Sequence, residues 1–179
     1  IKGTELSKKT LGIVGFGNVG VRLSNLVKGF DMNILVNSKS LESRKKDYPH
    51  VKNVSFEDLI SNSDIISFHC KAAKDGKPLI TKEHYKKMKP TAYIINAARG
   101  NIVDEKDLNE ALNENLIAGA ALDVYSKEPA KENVLFNNPK AILTPHIAAS
   151  TTEASIVVAE MVANQISDFL LNGVKINTV

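Results

Sequence analysis

The stretch that most restricts what this chain can fold into is Leu11-Gly12-Ile13-Val14-Gly15-Phe16-Gly17-Asn18-Val19-Gly20. A short apolar run, suited to a strand covered on both faces, leads into glycines spaced G-x-G-x-x-G. Each glycine has a physical task at that spacing. The first permits a sharp turn, the second lets backbone approach a pyrophosphate, and the third lets the next helix pack close to the strand. The free N–H groups and dipole at that helix's start suit phosphate. The spacing alone is a weak signal, and the strand before it and helix after it are what give it weight. The helix is predicted from Asn18 to about Phe30, with Val19, Leu23, Leu26 and Val27 as one apolar stripe.

Beyond this point strand and helix patterns alternate to the end of the chain. Strands are predicted at Asn33–Val36, around Val51–Val54, and at Asp64–His69, Ala92–Asn96, Ile117–Leu122 and Ala141–Leu143. A polar connection is expected from Asn37 to Pro49. Ser55 and Thr81 read as helix caps, Asp104–Asn113 as a helix with Leu108, Ala111 and Leu112 inward, and about Thr152–Leu171 as a long closing helix. This alternation predicts an α/β, Rossmann-like, doubly wound parallel sheet with helices on both faces. Ligands of such sheets sit at the carboxyl ends of the strands.

Composition narrows the function classes. With 23 basic and 20 acidic residues, mixed along the chain, a net charge of +3 gives no reason to expect nucleic acid. The single cysteine, Cys70, allows no internal disulfide, so a reducing, cytoplasmic setting is expected. No uninterrupted apolar run approaches the roughly 20 residues of a membrane span, and no membrane partner or metal site is expected. The chain opens on Ile1 rather than methionine, which suggests a piece of something longer.

Three ionisable residues fall just past three of the later strands: Arg99, Glu128 and His146. An arginine, a carboxylate and an imidazole on one sheet edge suit redox chemistry on a 2-keto or 2-hydroxy acid. The arginine fork can hold a carboxylate or carbonyl. The histidine can exchange a proton with the carbonyl oxygen as hydride moves. The glutamate can orient the imidazole and favour its protonated form. Each residue also has a plain structural explanation, and only their joint occurrence beside a dinucleotide loop favours chemistry.

Four segments in order resemble the D-isomer-specific 2-hydroxyacid dehydrogenases. They are the glycine motif Leu11–Gly20, Met88-Lys89-Pro90 with Ile95–Glu105, Ala118–Pro129, and Leu143–Thr151. The resemblance implies catalytic roles for Arg99 (substrate binding), Glu128 (partner of the histidine) and His146 (acid/base). It also implies that Asp123 contacts the nicotinamide carboxamide. The cofactor-contacting set expected is Gly15, Gly17, Asn18, Val19, Gly20, Ser38, Lys39, Cys70, Ala98 and Asp123. A small 2-hydroxy or 2-keto acid is the expected substrate. The same fold also serves corepressors that sense NAD(H), which stands as the alternative.

The sequence departs from that family's pattern in three places. Where many NAD-using members carry an aspartate for the adenosine ribose, this chain has Ser38, followed by Lys39 and Ser40. Without a carboxylate there, Ser38 and Ser40 can hydrogen-bond a 2′-phosphate, and Lys39 or Arg44 can pair with its charge. NADP or NAD is therefore expected, with NADP favoured. The residues after His69, Cys70-Lys71-Ala72-Ala73-Lys74-Asp75, differ from the usual segment, and Cys70 reads as packing rather than as a nucleophile. Finally, residues 1–179 read as a dinucleotide-binding domain alone, with the family's substrate domain absent. The closing helix is apolar over a wide arc, through Val157, Val158, Met161, Val162, Ile166, Phe169 and Leu170, and should pack elsewhere or seek a partner chain. Dimerisation through nucleotide domains is common in the family, so the resemblance implies a homodimer.

Overall fold

The computed structural model describes residues 3–177. They form two compact units, one running to Pro145 and one beginning at His146. The first contains β1 (Thr10–Val14), α1 (Asn18–Leu26), β2 (Asn33–Asn37), β3 (Lys52–Asn53), α2 (Phe56–Asn62) and β4 (Ile65–Phe68). It continues with α3 (Lys82–Tyr85), β5 (Tyr93–Asn96), α4 (Glu105–Asn113), β6 (Gly119–Leu122) and β7 (Ala141–Leu143). The seven strands make one parallel sheet in the order β3-β2-β1-β4-β5-β6-β7. The chain winds one way from β1 and then crosses to the other side at β4. The β1–β4 boundary is thus the switch point, where neighbouring loops diverge and open a crevice.

Strand alternation separates two cores. Leu11 and Ile13 of β1 join Phe16, Ile34, Val36, Leu41 and Val51, packed under Val21, Leu23 and Val27. Val14 faces the other way, into a larger cluster with Leu59, Ile66, Phe68, Ile94, Leu108 and Leu122. Burying each such side chain contributes about 1.5–3 kcal/mol before the entropy of ordering it. The inward positions expected on α4, Leu108, Ala111 and Leu112, are all buried. On the α1 side, Tyr93 and Ile95 of β5 and Ile142 of β7 stand exposed.

The stripe expected on α1 is corrected. Val19 and Leu26 are 63% and 67% exposed, while Gly20 and Ser24 are buried. A Cβ on Gly20 would strike the Gly15 carbonyl, so the helix lies too close to the strand for large side chains along that line. Ser24 fits by donating its hydroxyl to the Val21 carbonyl at 2.8 Å. The polar connection at residues 37–49 is also more ordered than expected. Lys39–Asp47 form 3₁₀ turns anchored by the buried Leu41.

Local caps and ties fix the remaining elements. Ser55 Oγ accepts the Asp58 N–H at 3.0 Å, and the Asp104 carboxylate accepts from Lys106 and Asp107 N–H at 2.9 Å. At the amino edge of the sheet, Asp64 accepts the Thr10 N–H at 2.8 Å and the Lys89 ammonium at 2.9 Å. Burial alone would raise the Asp64 pKa, but the Thr10 N–H and Lys89 together hold it below the ordinary value.

The second unit is dominated by α5 (Thr152–Asn172), capped by Thr151 Oγ1 and ended by Gly173 in the left-handed conformation. None of its residues is buried. It is 21 residues long with a mean hydropathy of 1.3, enough by length and composition to cross a membrane. This corrects the expectation that nothing in the chain approaches that length. The sequence reading sought an unbroken apolar run, and α5 is interrupted by Glu153, Glu160, Gln165 and Asp168. Carboxylates inside the helix disfavour a lipid-exposed span.

Candidate functional site

The glycine loop sits at the carboxyl end of β1, between the ends of β2 and β4. The Gly15 N–H donates to the Asn37 carbonyl at 3.0 Å, and the His69 N–H donates to the Val14 carbonyl at 2.7 Å. Gly15 has φ +94°, and a Cβ there would lie 2.6 Å from the His69 carbonyl oxygen. Both the left-handed turn and the contact demand glycine. Gly17 differs. It is the residue before α1, in extended conformation, and a Cβ on it would meet nothing within 4 Å. Nothing within the fold therefore requires glycine at position 17, whereas a phosphate approaching the backbone would. Among the described residues no side chain caps α1, so the N–H groups of Asn18, Val19 and Gly20 keep the orphan status of a helix's first turn. Gly17, Asn18 and Val19 are exposed. The loop thus fits a dinucleotide pyrophosphate.

At the end of β2, Ser38 is half-buried and its backbone is held on both sides by Asn53. Its N–H donates to Asn53 Oδ1 and its carbonyl accepts from Asn53 Nδ2, each at 3.2 Å. Lys39 is exposed. At the end of β4, Ser67 Oγ lies 2.9 Å from His69 Nε2, and burial pushes the His69 pKa down. Burial pushes the Cys70 thiol up, away from the reactive thiolate. Cys70 also packs against the larger core, which matches its reading as a packing residue.

The loop after β5 carries Ala98 and Arg99. It is organised by Asn96, a residue to which the sequence reading gave no role of its own. Asn96 is fully buried, and its side chain bridges the loop, donating to the Arg99 carbonyl at 2.9 Å and accepting the Ala98 N–H at 3.1 Å. Ala98 is half-buried and Arg99 exposed. Arg99 Nη1 donates to its neighbour's carbonyl, Ala98 O, at 2.6 Å. A Cβ on Gly100 would collide with the Tyr125 carbonyl, so this loop presses against the one after β6.

The loop after β6 carries Asp123 and Glu128. Asp123 is buried and accepts from Thr144 Oγ1 at 2.5 Å, while its N–H donates to the Asn96 carbonyl at 2.9 Å. Tyr125 OH donates to the Thr144 carbonyl at 2.9 Å. Burial, with Asp123, Glu105 and Glu128 nearby, raises the Tyr125 pKa. Glu128 Oε1 accepts the Tyr125 N–H at 2.9 Å. Glu105, at the start of α4, grips the same loop by accepting the Ser126 N–H and hydroxyl at 2.8 and 3.0 Å. The structure therefore brings the Arg99, Asp123 and Glu128 loops together along the β5–β6–β7 edge. Asn96, Glu105, Tyr125 and Thr144 do the fastening, and sequence reasoning passed over all four. Each lies inside or beside a motif, and asparagine at a strand's last position was the available signal. His146 opens the second unit three residues past β7, with φ 56°, an uncommon backbone state for a non-glycine residue.

A parallel sheet in this order, with a phosphate-suited glycine turn at its switch point, defines the dinucleotide-binding class of α/β fold. Comparison with known proteins carries the assignment further. The profile for the D-isomer specific 2-hydroxyacid dehydrogenase NAD binding domain matches residues 1–148. A glyoxylate reductase of Pyrococcus furiosus is 40% identical over 93% of this chain and 50% of its own length. A D-3-phosphoglycerate dehydrogenase of Bacillus subtilis is 40% identical over 93% of this chain and 32% of its own length. Among solved structures, a glyoxylate reductase from Paecilomyes thermophila superposes with a TM-score of 0.87 at 33% identity, covering 97% of this chain and 53% of that one. The chain belongs to the D-isomer-specific 2-hydroxyacid dehydrogenase family and corresponds to its NAD-binding domain. It spans a third to about half the length of these curated relatives. The corepressor alternative finds no support here, since these relatives are dehydrogenases and reductases.

Proposed function

We propose that this chain is the cofactor-binding half of an NAD(P)-dependent oxidoreductase acting on a small 2-hydroxy or 2-keto acid. The substrate class is of the glyoxylate/hydroxypyruvate or 3-phosphoglycerate type. The observation that carries the reading is the open face of Gly17 at the uncapped start of α1, on the same sheet edge as the Arg99 and Asp123 loops. When bound, the nicotinamide supplies or accepts the hydride. In the reducing direction, Arg99 holds the substrate carboxylate through its planar fork. His146 passes a proton to the carbonyl oxygen, so the substrate gains hydride and proton and leaves as the 2-hydroxy acid. Glu128 orients the imidazole and stabilises its protonated form. Asp123, buried and held by Thr144, would hold the carboxamide of the bound nicotinamide.

In the same reading the remaining substrate contacts belong to a second domain, the protein is cytoplasmic, and it works as a homodimer. The apolar residues of α5 support the last point. The test begins with calorimetric titration of this chain with NADH and NADPH, where binding of at least one is expected and binding of neither overturns the reading. Turnover of glyoxylate, hydroxypyruvate, pyruvate and 3-phosphoglycerate is then measured in the full-length protein, with and without His146→Gln. The substitution should abolish turnover and leave cofactor affinity nearly unchanged; retained turnover removes the histidine from its role. Light scattering decides the dimer.

A further inference from the structure

We propose that Thr144 is a positioning residue that aims the Asp123 carboxylate at the ring amide of the cofactor, so that the site selects dinucleotides whose ring substituent carries an N–H. The inference rests on the dinucleotide reading above. It adds which residue sets the contact and which group on the ring is selected.

The placement begins with strand register. β6 and β7 run parallel with Leu122 opposite Leu143, so the next residues, Asp123 and Thr144, follow as neighbours. Matched positions on adjacent strands send their side chains to the same face of the sheet. Thr144 extends the ladder, because its N–H donates to the Leu122 carbonyl at 3.0 Å. Its hydroxyl is thereby set beside Asp123 and donates to Oδ1 at 2.5 Å. The Thr144 carbonyl is engaged as well, accepting from the Tyr125 hydroxyl at 2.9 Å. The Tyr125 ring is itself buried and packs edge-on against Phe136, with centroids 6.4 Å apart. The N–H, carbonyl and hydroxyl of Thr144 are therefore all tied to β6 and the loop that follows it.

A threonine that only filled a strand position would need no such arrangement. Valine has nearly the same shape and suits a strand as well. What valine lacks is the donor. Asp123 is only 6% exposed, and a buried carboxylate needs hydrogen-bond donors to stay charged. The other hydroxyls of the loop are directed elsewhere: that of Tyr125 to the Thr144 carbonyl, and that of Ser126 to Glu105. The Asp123 backbone is fixed separately, its N–H donating to the Asn96 carbonyl at 2.9 Å. The side chain is thus held at its root by Asn96 and at its tip by Thr144 before any ligand arrives, which lowers the cost of binding one. An ionised carboxylate only accepts hydrogen bonds. It gains one from a ring amide and none from a ketone in the same place.

The experiment is calorimetric titration of the chain and of Thr144→Val, Thr144→Ser, Tyr125→Phe, Asp123→Ala and the Thr144→Val/Asp123→Ala double variant, each checked for folding by circular dichroism. The probes are NADH, NADPH and their reduced 3-acetylpyridine counterparts, in which a methyl ketone replaces the amide. The parent should bind the nicotinamide form of its better cofactor at least about 10-fold tighter than the acetylpyridine form, and Asp123→Ala should remove that preference. Thr144→Val should cut the preference to about 2-fold or less, while its affinity for the acetylpyridine form changes less than about 3-fold. Thr144→Ser should restore it. In the Asp123→Ala background, Thr144→Val should change neither affinity, because it acts through that carboxylate. Tyr125→Phe, which removes the donor to the Thr144 carbonyl, should lower the preference about 3-fold, and it carries the test if Thr144→Val does not fold. Equal loss of both ring forms in Thr144→Val, or the same loss repeated in the double variant, overturns the inference, because Thr144 then only holds the strand. A preference that Asp123→Ala removes and Thr144→Val leaves intact also overturns it, with the dinucleotide reading unharmed. A parent that binds both ring forms equally overturns the inference together with the Asp123 contact. Binding of none of the probes by the parent overturns the dinucleotide reading itself.

Discussion

Gly17 and Gly20 offer a direct separation of binding from folding. Gly17 takes φ −82° and ψ −162°, a conformation open to alanine, and a Cβ there would meet nothing within 4 Å. Alanine before a helix costs up to about 1 kcal/mol relative to a better cap. Restricting the unfolded chain returns about 0.4–1 kcal/mol. Gly17→Ala should therefore leave stability within about 1 kcal/mol, or about 2–4 °C in Tm for a chain of this size. The added methyl does occupy the space a pyrophosphate would use. Losing one hydrogen bond to a charged group costs about 1.5–3 kcal/mol, so NAD(P)H affinity should fall roughly 10- to 150-fold. Gly20→Ala is the converse. Its Cβ is driven into the Gly15 carbonyl with Ile13 Cγ2 at 3.3 Å, so the helix must move off the strand. Such overpacking costs about 1–3 kcal/mol, which lowers Tm by about 2–12 °C. The assays are thermal melting by circular dichroism and calorimetric titration on the same preparations. Undiminished cofactor affinity in Gly17→Ala, or an unchanged Tm in Gly20→Ala, would refute the division of labour.

Three further outcomes follow from the packing. Asp64 has its folded pKa held below the ordinary value near 3.8, so its contribution to stability is fully present above that value and is lost as pH falls through the folded pKa. Asp64→Asn should therefore melt lower than the parent at pH 6 and lose less on acidification below about pH 4, which a Tm series from pH 2 to 6 checks. Asn96→Ala strands the Ala98 N–H and the Arg99 carbonyl, and should destabilise by about 1–3 kcal/mol in urea unfolding. Tyr85 is fully buried, and its hydroxyl has no partner among the described residues. Tyr85→Phe should leave urea stability unchanged or raise it by about 1–3 kcal/mol, and a clear loss would show that the hydroxyl is satisfied.

The fold was legible in the sequence wherever one local rule was enough. The run Leu11–Val14 with its glycines, the cap at Ser55, and the inward face of α4 each follow from hydrophobic period or capping chemistry. The failures have a common origin in tertiary geometry. Apolarity selected Val19 and Leu26 as inward, but α1 approaches β1 so closely that Gly20 and Ser24 take those places. Residues 37–49 read as a polar connection, yet Leu41 and Arg44 tie the segment to the core and to the glycine loop. Asn96 was hidden because its partners are backbone groups two and three residues on, which no pattern of side chains displays. The charged residues proposed for the site were chosen by type and position, whereas the side chains that brace their loops became visible only in the structure.

The central claim is that the Gly15–Gly20 loop is where this chain grips a nicotinamide dinucleotide. An amide-resolved NMR titration of the 19.5 kDa chain with NADPH tests it most directly. The account predicts that, at saturation, the largest shifts fall on the backbone amides of Gly17, Asn18, Val19 and Gly20, with further shifts at Ser38 and at Arg44 Nε. Saturable binding that leaves the loop amides unmoved would contradict it.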